Sequence, residues 1–499
     1  MNYDLEQPMI FFGGENQSPY TLRNLVEGTA IFGSIGAGKT SASGRLWALK
    51  MLNAGFGGLV LTVKPDEKDQ WVEYCKLAGR SDDLLILEPG GEYSFDFMSY
   101  LSASNSGDAL TGNLLEILKV VINAGAERNN GKNNSDPFWS QALDQLIANA
   151  IDLALMAYNK VDVQTLYEIV QTAPHIEKPA PKPEDLQKKA FYKAFGKIRS
   201  RVRKDVDKWY SKVHWAEKSR IEFEGTFDHH AEQMVPEYKP LKLLDQFFTE
   251  TFKNLASKTR SIVEFSFTGL LYSLLREPFY SMFCKQKADF NPRSSLDGKI
   301  LLLNIPTKLY HNVGRDCQIL YKVLWQREME KRNVKENDRP VFLFADEAYT
   351  FLHEKDAEFQ YTSRSSRVAT VYIAQNIPQY FAALGGDKAR DRVHSFLGTL
   401  NTKIFHANSD VETNKAASDL IGEAEFIEPS STITVAENFS RTDSISLSVH
   451  KQVRPEQFVG LITGGERNNY KVEAYLHVQG DKLFKGQNFR KVRFDQNYK

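Results

Sequence analysis

Residues 28–45 read GTAIFGSIGAGKTSASGR, and this stretch is the strongest indication of the fold in the sequence. Its segment GSIGAGKT fits the pattern GxxxxGK(S/T), with an apolar strand-like run before it and a helical pattern after it. Glycines let backbone N–H groups turn toward phosphates, and the N-terminus of the following helix adds the positive end of its dipole. Lys39 would neutralise the β- and γ-phosphates, and the Thr40 hydroxyl would bind Mg²⁺. The sequence therefore predicts a nucleotide-binding loop made of Gly33, Ser34, Ile35, Gly36, Ala37, Gly38, Lys39, Thr40 and Ser41. The alternative is a glycine-rich turn before an ordinary helix.

The segment PVFLFADEAY supplies the carboxylates that such a loop needs on its metal side. Asp346 and Glu347 follow a buried strand, at the edge of an α/β sheet where ligands bind. Asp346 would hold Mg²⁺ through water, and Glu347 would act as the general base that activates the attacking water. The competing acids Asp66 and Glu88 also follow strand-like runs but lack the Asp-Glu pair. Since no NKxD guanine motif is present, we expect the nucleotide to be ATP.

The next apolar run, within SRSSRVATVYIAQ, carries polar groups at both of its ends. Gln375 leaves the strand beside the Asp-Glu pair, where its amide could sense the γ-phosphate or the attacking water. Arg364 and Arg367 enter the same strand at the opposite edge, roughly 25 to 35 Å away if the chain is extended. An arginine there can reach a neighbouring subunit's site and act as an arginine finger in trans. The alternative for either arginine is a surface salt bridge.

Short apolar runs at both ends of the chain predict strands buried on both faces, as in a parallel sheet covered by helices. They are GLVLTV (58–63), LLILE (84–88), KILLLNI (299–305), PVFLFAD (340–346), VATVYIA (368–374) and KIFHA (403–407). The pattern of residues 101 to about 294, between the second and third runs, is typical of helices. The predicted fold class is α/β, a RecA-like parallel-sheet P-loop ATPase core interrupted by a large all-helical insertion domain. The expected domains are residues 1–100 and 295–499 for the two halves of the nucleotide-binding domain and 101–294 for the insertion.

Composition narrows the class of protein but not its partner. The 499 residues carry 63 Lys plus Arg and 63 Asp plus Glu, so the net charge says nothing about nucleic acid. Cys75, Cys284 and Cys317 lack the paired spacing of a zinc site, which favours a reducing, cytoplasmic setting. No run approaches the 18 to 20 apolar residues of a membrane span, so direct membrane insertion is not expected.

The motifs GSIGAGKT, FLFADEA and SRSSRVATVYIAQ together resemble those of the FtsK/HerA superfamily of hexameric DNA-pumping ATPases. Within it, the chain is most similar to the coupling proteins of conjugation and type IV secretion, the TraG/TraD class. DPFWSQALDQLIANAI resembles the helix that opens the family's all-helical insert, and residues 402–422 resemble the strand and helix after the Gln motif. The resemblance implies that the arginine eleven residues before the glutamine is the trans finger, which here is Arg364.

Three departures from the family pattern bear on function. Members usually begin with transmembrane helices, whereas here the nucleotide-binding loop starts at residue 33 with no hydrophobic run of membrane-spanning length before it. The usual DPKGE stretch after the second strand is present only as VKPDEKDQ, and the glycine after the arginine is replaced by Arg367. Membrane anchoring and secretion as the purpose are therefore open.

The helical region contains a strongly basic segment. Residues 186–220 hold twelve Lys or Arg against three acidic residues. Apolar positions recur every three or four residues, so one face packs and the other is basic. These apolar positions are Phe191, Phe195, Ile198, Val202, Val206, Trp209 and Val213. The basic face could bind DNA phosphates without sequence preference, or it could be a solvated helix surface.

The sequence thus predicts an ATP-hydrolysing, ring-forming DNA translocase, a homo-oligomer that by resemblance is a hexamer, with ATP and Mg²⁺ as cofactors. A relaxase or another protein could bind the helical domain. The rival interpretation is a nucleotide-gated recognition protein that recruits a partner without moving DNA. A metabolic kinase is disfavoured by the arrangement of Glu347 and Arg364.

Overall fold

The computed structural model describes residues 3–12, 18–104, 108–129, 137–176, 182–285, 288–386, 388–435, 439–484 and 486–498. Two compact units divide the chain. The first unit combines Met1–Leu87 with Asn291–Lys499, and the second is Glu88–Phe290.

A nine-stranded mixed sheet forms the centre of the first unit. The strands of the chain are β1 (Pro8–Ile10), β2 (Tyr20–Thr21), β3 (Thr29–Phe32), β4 (Gly57–Leu61), β5 (Leu84–Leu87), β6 (Tyr93–Ser94), β7 (Ala288–Asp289), β8 (Ile300–Leu303), β9 (Val341–Ala345), β10 (Val368–Ala374), β11 (Thr402–His406), β12 (Glu423–Val435), β13 (Phe439–Lys451), β14 (Lys471–Val478) and β15 (Phe489–Asp495). The sheet order is β15-β14-β11-β3-β10-β9-β4-β8-β5.

Helices cover this sheet and build the second unit. In the first unit they are α1 (Leu22–Val26), α2 (Arg45–Asn53), α3 (Glu67–Leu77), α15 (Thr307–Lys331), α16 (Asp356–Ser363), α17 (Ile377–Leu384), α18 (Ala389–Gly398), α19 (Val411–Ile421) and α20 (Pro455–Val459). In the second they are α4 (Phe97–Ser104), α5 (Asp108–Asn129), α6 (Pro137–Tyr158), α7 (Val163–Gln171), α8 (Pro183–Leu186), α9 (Ala190–Lys212), α10 (Trp215–Glu224), α11 (Phe227–Met234), α12 (Tyr238–Asp245), α13 (Ser257–Leu274) and α14 (Phe279–Phe283). Backbone angles at His311 break α15 with a kink.

The α/β fold class predicted from the apolar runs is confirmed. Every one of the six runs forms a strand of the sheet, and β3, β10, β9, β4, β8 and β11 are buried along their whole length. The seven strands from β11 to β5 run parallel. Continuous apolar strands of this kind need helices on both faces, because neither face can be left in water.

The sequence prediction of a purely parallel sheet is incomplete at one edge. β14 pairs antiparallel with β11, and β15 pairs antiparallel with β14. β15 alternates buried and exposed residues, as is typical of an edge strand with one face in water. These two strands extend the sheet next to the nucleotide-binding loop.

The second unit is built mainly of helices, as predicted, and also contains two short strands. β6 and β7 pair in parallel within it and bring its first and last segments together. The predicted packing face of α9 does turn inward: Phe191, Ile198 and Val202 are buried. The lysines and arginines of α9 lie mainly on the exposed faces.

A long antiparallel hairpin, β12 with β13, follows α19 in the first unit. Ile427 pairs with Leu447 on it, and Ile445 lies on the same face; these three side chains are 69%, 70% and 77% exposed. The hairpin is not part of the central sheet.

Among the helices that the structure describes, none is both long enough and apolar enough for a bilayer crossing.

Candidate nucleotide-binding site

The loop Gly33–Thr40 connects β3 to a π-helical turn, Lys39–Gly44, which continues into α2. Gly36 and Gly38 have φ angles of 75° and 82°, a left-handed conformation that is strained for other residues. A Cβ atom on Gly38 would lie 2.6 Å from Cγ2 of Val472 on β14. Only glycine therefore fits where the loop touches the antiparallel strand β14.

Hydrogen bonds hold the beginning of the loop to the ends of two neighbouring strands. The Gly33 N–H donates to the carbonyl of Gln375, and the Ser34 N–H donates to the carbonyl of Ala407 at 2.9 Å. The Ser34 hydroxyl donates to Oδ1 of Asn408, whose amide donates to the Gln375 carbonyl. Ile35 lies at the crest of the loop with its side chain 83% exposed. The loop is thus held by the ends of the neighbouring strands on one side and is exposed to solvent on the other.

Thr40 and Asp346 meet at the carboxyl edge of the sheet. The Thr40 hydroxyl donates to Oδ2 of Asp346 at 2.8 Å, although the two residues lie 306 positions apart. Asp346 follows β9 and is 4% exposed. A hydroxyl and a carboxylate in contact are the oxygen donors that Mg²⁺ takes from protein in phosphate-binding sites, so these two residues fit the metal.

Glu347 adopts a conformation that is uncommon for a residue with a side chain. Its φ and ψ angles are 48° and 46°, and its carboxylate is buried. Oε1 accepts a hydrogen bond from Nε2 of Gln375 at 3.0 Å, whereas buried Oε2 has no partner among the described residues. A strained backbone that holds a half-satisfied buried carboxylate is typical of a functional position. This geometry leaves one oxygen available to a water molecule.

Gln375 joins the three segments of the site. Its carbonyl accepts from the nucleotide-binding loop, and its side chain donates to Glu347. Its own N–H donates to Oε1 of Gln379 at the start of α17. The residue therefore links the loop, the Asp-Glu segment and the next helix.

The two predicted arginines lie at the opposite edge of the sheet. Arg364 follows α16, is 51% exposed and forms an ion pair with Glu27 at 3.1 Å. Arg367 has a φ of 52°, and its guanidinium donates to the carbonyl of Tyr3. The structure does not bring either arginine to its own chain's loop. Arg367 is held within the chain, whereas half of the Arg364 side chain is accessible.

Of the competing acids, Asp66 lies outside the site. It precedes α3, is exposed, and accepts from Nε2 of Gln70 at 3.3 Å. Sequence reasoning missed two nearby residues, Lys64 before Asp66 and Glu67 after it. Lys64 Nζ lies 3.6 Å from Oδ2 of Asp346, and Glu67 is buried with Oε2 accepting the Val63 N–H at 2.7 Å. Burial and the nearby Asp346 raise the pKa of Glu67 to about 8.

The departure VKPDEKDQ was the sequence signal for these two residues. It follows β4, and β4 lies directly beside β9 in the sheet. Charged residues after adjacent parallel strands meet at one edge, so the segment could have been assigned to the site.

The C-terminal segment also touches the start of α2. Nε2 of Gln496 donates to the Ser41 hydroxyl at 2.7 Å, and Nε of Arg45 donates to the carbonyl of Tyr498 at 2.8 Å. Oε1 of Gln496 in turn accepts the Gly465 N–H. Nothing in the sequence pattern predicted these contacts.

A buried histidine supports the turn that carries Lys39. Nε2 of His406 lies 2.7 Å from the Ser43 hydroxyl, which donates to the Lys39 carbonyl. Burial, with a smaller effect of the Lys39 ammonium, lowers the pKa of His406 to about 3. The imidazole is therefore neutral in the folded protein at neutral pH.

Part of the chain matches a family model, and its fold is similar to that of solved coupling-protein structures. Residues 340–458 match the family model described as the TraM recognition site of TraD and TraG. The fold is similar to that of the bacterial conjugative coupling protein TrwBΔN70 in its unbound monoclinic form, at a TM-score of 0.60 and 15% identity over 96% of this chain and 87% of that one. It is also similar to the plasmid coupling protein TrwB in complex with ADP and Mg²⁺, at a TM-score of 0.58 and 15% identity over 97% and 90% of the two chains. TrwB in complex with a non-hydrolysable ATP analogue matches at a TM-score of 0.58 and 16% identity over 100% and 92%. No protein with curated annotation matches.

The predicted resemblance to coupling proteins is thereby confirmed. The family-model match covers the segment with the Asp-Glu pair, the glutamine and the hairpin. At this low identity, the likeness to the TrwB structures shows a shared fold.

The buried His406 makes stability depend on pH. In the unfolded chain the pKa of His406 returns to about 6.5. As pH falls below that value, the unfolded state therefore binds a proton at His406, whereas the folded state does not. The stability that comes from the neutral His406 is therefore fully present above about pH 6.5 and is lost as pH falls toward 3.

The variant His406→Gln, which keeps a donor near Ser43, tests this dependence. We expect its free energy of unfolding to fall by about 1 to 2 kcal/mol less than that of wild type as pH goes from 6.5 to 5. Denaturant unfolding at several pH values measures this difference. His394→Gln, on an exposed position of α18, is the control; equal pH dependence of the His406 variant and wild type would contradict the assignment.

Proposed function

We propose that this protein is an ATP-hydrolysing DNA translocase that works as a ring of identical subunits, similar in kind to conjugative coupling proteins. The observation that carries the proposal is the meeting of three sequence motifs at one sheet edge. The phosphate-binding loop, Asp346 with Glu347, and Gln375 are joined there by the hydrogen bonds of Thr40 and Gln375. This is the arrangement that ATP hydrolysis requires.

The binding half of the site consists of the loop and its metal-side oxygens. Lys39 and the loop N–H groups bind the phosphates, and Thr40 and Asp346 hold Mg²⁺, which neutralises negative charge on the phosphates when bound. TrwB structures with ADP and Mg²⁺ and with an ATP analogue support this ligand for a chain of the same fold.

The hydrolytic half consists of Glu347 and Gln375. The free Oε2 of Glu347 accepts a proton from the attacking water, while Oε1 stays fixed by the Gln375 amide. The backbone carbonyl of Gln375 accepts the Gly33 N–H of the loop while its side chain donates to Glu347, so a change at the bound phosphates would alter what Gln375 contacts. In this way Gln375 reports the state of the nucleotide to α17.

Arg364 completes the site of a neighbouring subunit. It lies at the far edge of the sheet from its own loop, and its side chain is half exposed. A finger supplied in trans requires head-to-tail contacts that close into a ring, which we propose to be a hexamer. Insertion into the neighbour would exchange the ion pair with Glu27 for contact with the neighbour's phosphates.

The basic face of α9 is the proposed contact to DNA. Arg199, Arg203 and Lys204 are exposed on it, opposite the packed face. Lysine and arginine contacts to phosphates give affinity without sequence preference, as translocation requires. We place this activity in the cytoplasm, a setting supported by the absence of a disulfide among Cys75, Cys284 and Cys317.

A second candidate is a nucleotide-gated recognition protein that recruits a relaxase or another partner through the helical unit. The observation in its favour is the exposure of Trp215 (73%) and Phe223 (92%) on α10. Large exposed aromatic side chains are typical of protein interaction sites.

ATPase assays with and without DNA separate the two candidates. We expect single- or double-stranded DNA to raise the rate, with a steep fall as salt increases, because phosphate contacts release counterions. Arg203→Ala with Lys204→Ala should weaken the stimulation and flatten the salt dependence, whereas Lys239→Ala with Lys258→Ala, also exposed in the helical unit, should not. A slow rate that is indifferent to DNA would favour the recognition protein.

Glu347→Gln tests the general base. The amide cannot accept the proton, so we expect turnover to fall by about a hundredfold or more while ATP still binds. Equilibrium binding of a fluorescent ATP analogue and phosphate release measure the two steps. Glu354→Gln, at an exposed position, is the control; normal turnover in Glu347→Gln would remove the assignment.

Arg364→Ala tests the trans finger. We expect its ATPase rate to fall roughly a thousandfold while assembly is preserved, because only transition-state charge loses its partner. Mixing it with Lys39→Ala should restore activity, since each variant supplies what the other lacks. Arg390→Ala, 67% exposed and paired with Glu412, is the control. Mixtures that stay inactive at every ratio would leave the trans role unsupported.

A further inference from the structure

Lys64 lies against the proposed metal ligands. It follows β4, which is adjacent to β9, and its Nζ lies 3.6 Å from Oδ2 of Asp346. The same oxygen accepts the hydrogen bond of the Thr40 hydroxyl at 2.8 Å. An ammonium group and a hydroxyl therefore share the carboxylate oxygen that faces the metal position.

Three buried carboxylates surround this ammonium group. Asp346, Glu347 and Glu67 are 4%, 5% and 4% exposed. Burial by itself would lower the pKa of Lys64, but Asp346, Glu67 and Glu347 together outweigh it and the pKa is raised. Without a cation these carboxylates would repel one another in a region with little water.

We propose that Lys64 is a resident counter-ion of the metal position: it holds Asp346 in the nucleotide-free protein and leaves when Mg²⁺ enters with the nucleotide. The inference rests on the nucleotide site proposed above and adds a competitor for the metal within the chain. Lys64 and Mg²⁺ would compete for Oδ2 of Asp346, because two cations at such a short distance repel each other in a partly buried site.

Glu67 provides the place to which Lys64 moves. Its Oε2 already accepts the Val63 N–H, whereas buried Oε1 has no partner among the described residues. Lys64 lies three residues before Glu67, the first residue of α3, and the Lys64 side chain is 42% exposed, so its ammonium group has room to turn. Pairing with Glu67 satisfies the unpartnered Oε1 and keeps a hydrogen-bond acceptor on the ammonium group.

The experiment measures Mg²⁺ dependence without hydrolysis. A fluorescent, non-hydrolysable ATP analogue is titrated with Mg²⁺ in wild type, Lys64→Met and Lys64→Arg, and thermal unfolding is followed without nucleotide. We expect Lys64→Met to reach half-maximal binding at about three- to tenfold lower Mg²⁺, because the competing cation is gone. The same variant should unfold several degrees lower without nucleotide, and Lys64→Arg should resemble wild type. Lys76→Met, exposed on α3, is the control. Lys64→Gln replaces the methionine variant if that variant does not fold.

A double-mutant cycle separates displacement from a general effect of charge. Glu67→Gln alone should raise the Mg²⁺ requirement, because Lys64 loses its alternative partner. In a Lys64→Met background the Glu67 change should have little further effect, since nothing remains to be displaced. Additive changes, or an unchanged Mg²⁺ midpoint in Lys64→Met, would overturn this inference alone. Absence of Mg²⁺-dependent analogue binding in wild type would overturn it together with the nucleotide site.

Discussion

The hydrogen bond between Thr40 and Asp346 sets the constraint that the rest of the structure satisfies. Its two residues are separated by the whole helical unit, so β3 and β9 must return to one sheet with only β10 between them. That arrangement brings Gln375, which leaves β10, to Glu347, which leaves the β9 segment. A parallel sheet satisfies this constraint, because the carboxyl ends of its strands all lie at the same edge.

Much of this was predictable from sequence, for a physical reason. Strands buried on both faces must be continuously apolar, and β4, β9 and β10 can be recognised in the sequence by their uninterrupted apolar runs. Glycines with positive φ angles and the lysine-threonine pair define the loop before any contact is known. The residues predicted for nucleotide, metal and water then follow from where each strand ends.

Other features depend on contacts between distant residues and gave no such signal. β14 lies against the loop because Val472 packs on Gly38, a pairing that neither segment reveals alone. Ser41 meets Gln496, and Ser43 meets His406, only after the sheet order is fixed. Lys64 and Glu67 differ from these residues, because the segment VKPDEKDQ after β4 did carry a signal that was noted only as a departure from the pattern of coupling proteins. The role of Arg364 stays a prediction, since a single chain shows its ion pair with Glu27 and no neighbour.

β10 has a further consequence as a mechanical part. It is seven residues long, begins four residues after Arg364 and ends immediately before Gln375, so a fully buried and hydrogen-bonded strand fills most of the chain between the two residues. In a ring of the proposed kind, one end of this strand faces the chain's own nucleotide and the other faces the neighbour's. The spacing between successive sites is then set by the rise of a β-strand, about 3.3 Å per residue, rather than by adjustable side chains. In such a ring, a rigid β10 would couple a shift at Gln375 to a shift at Arg364.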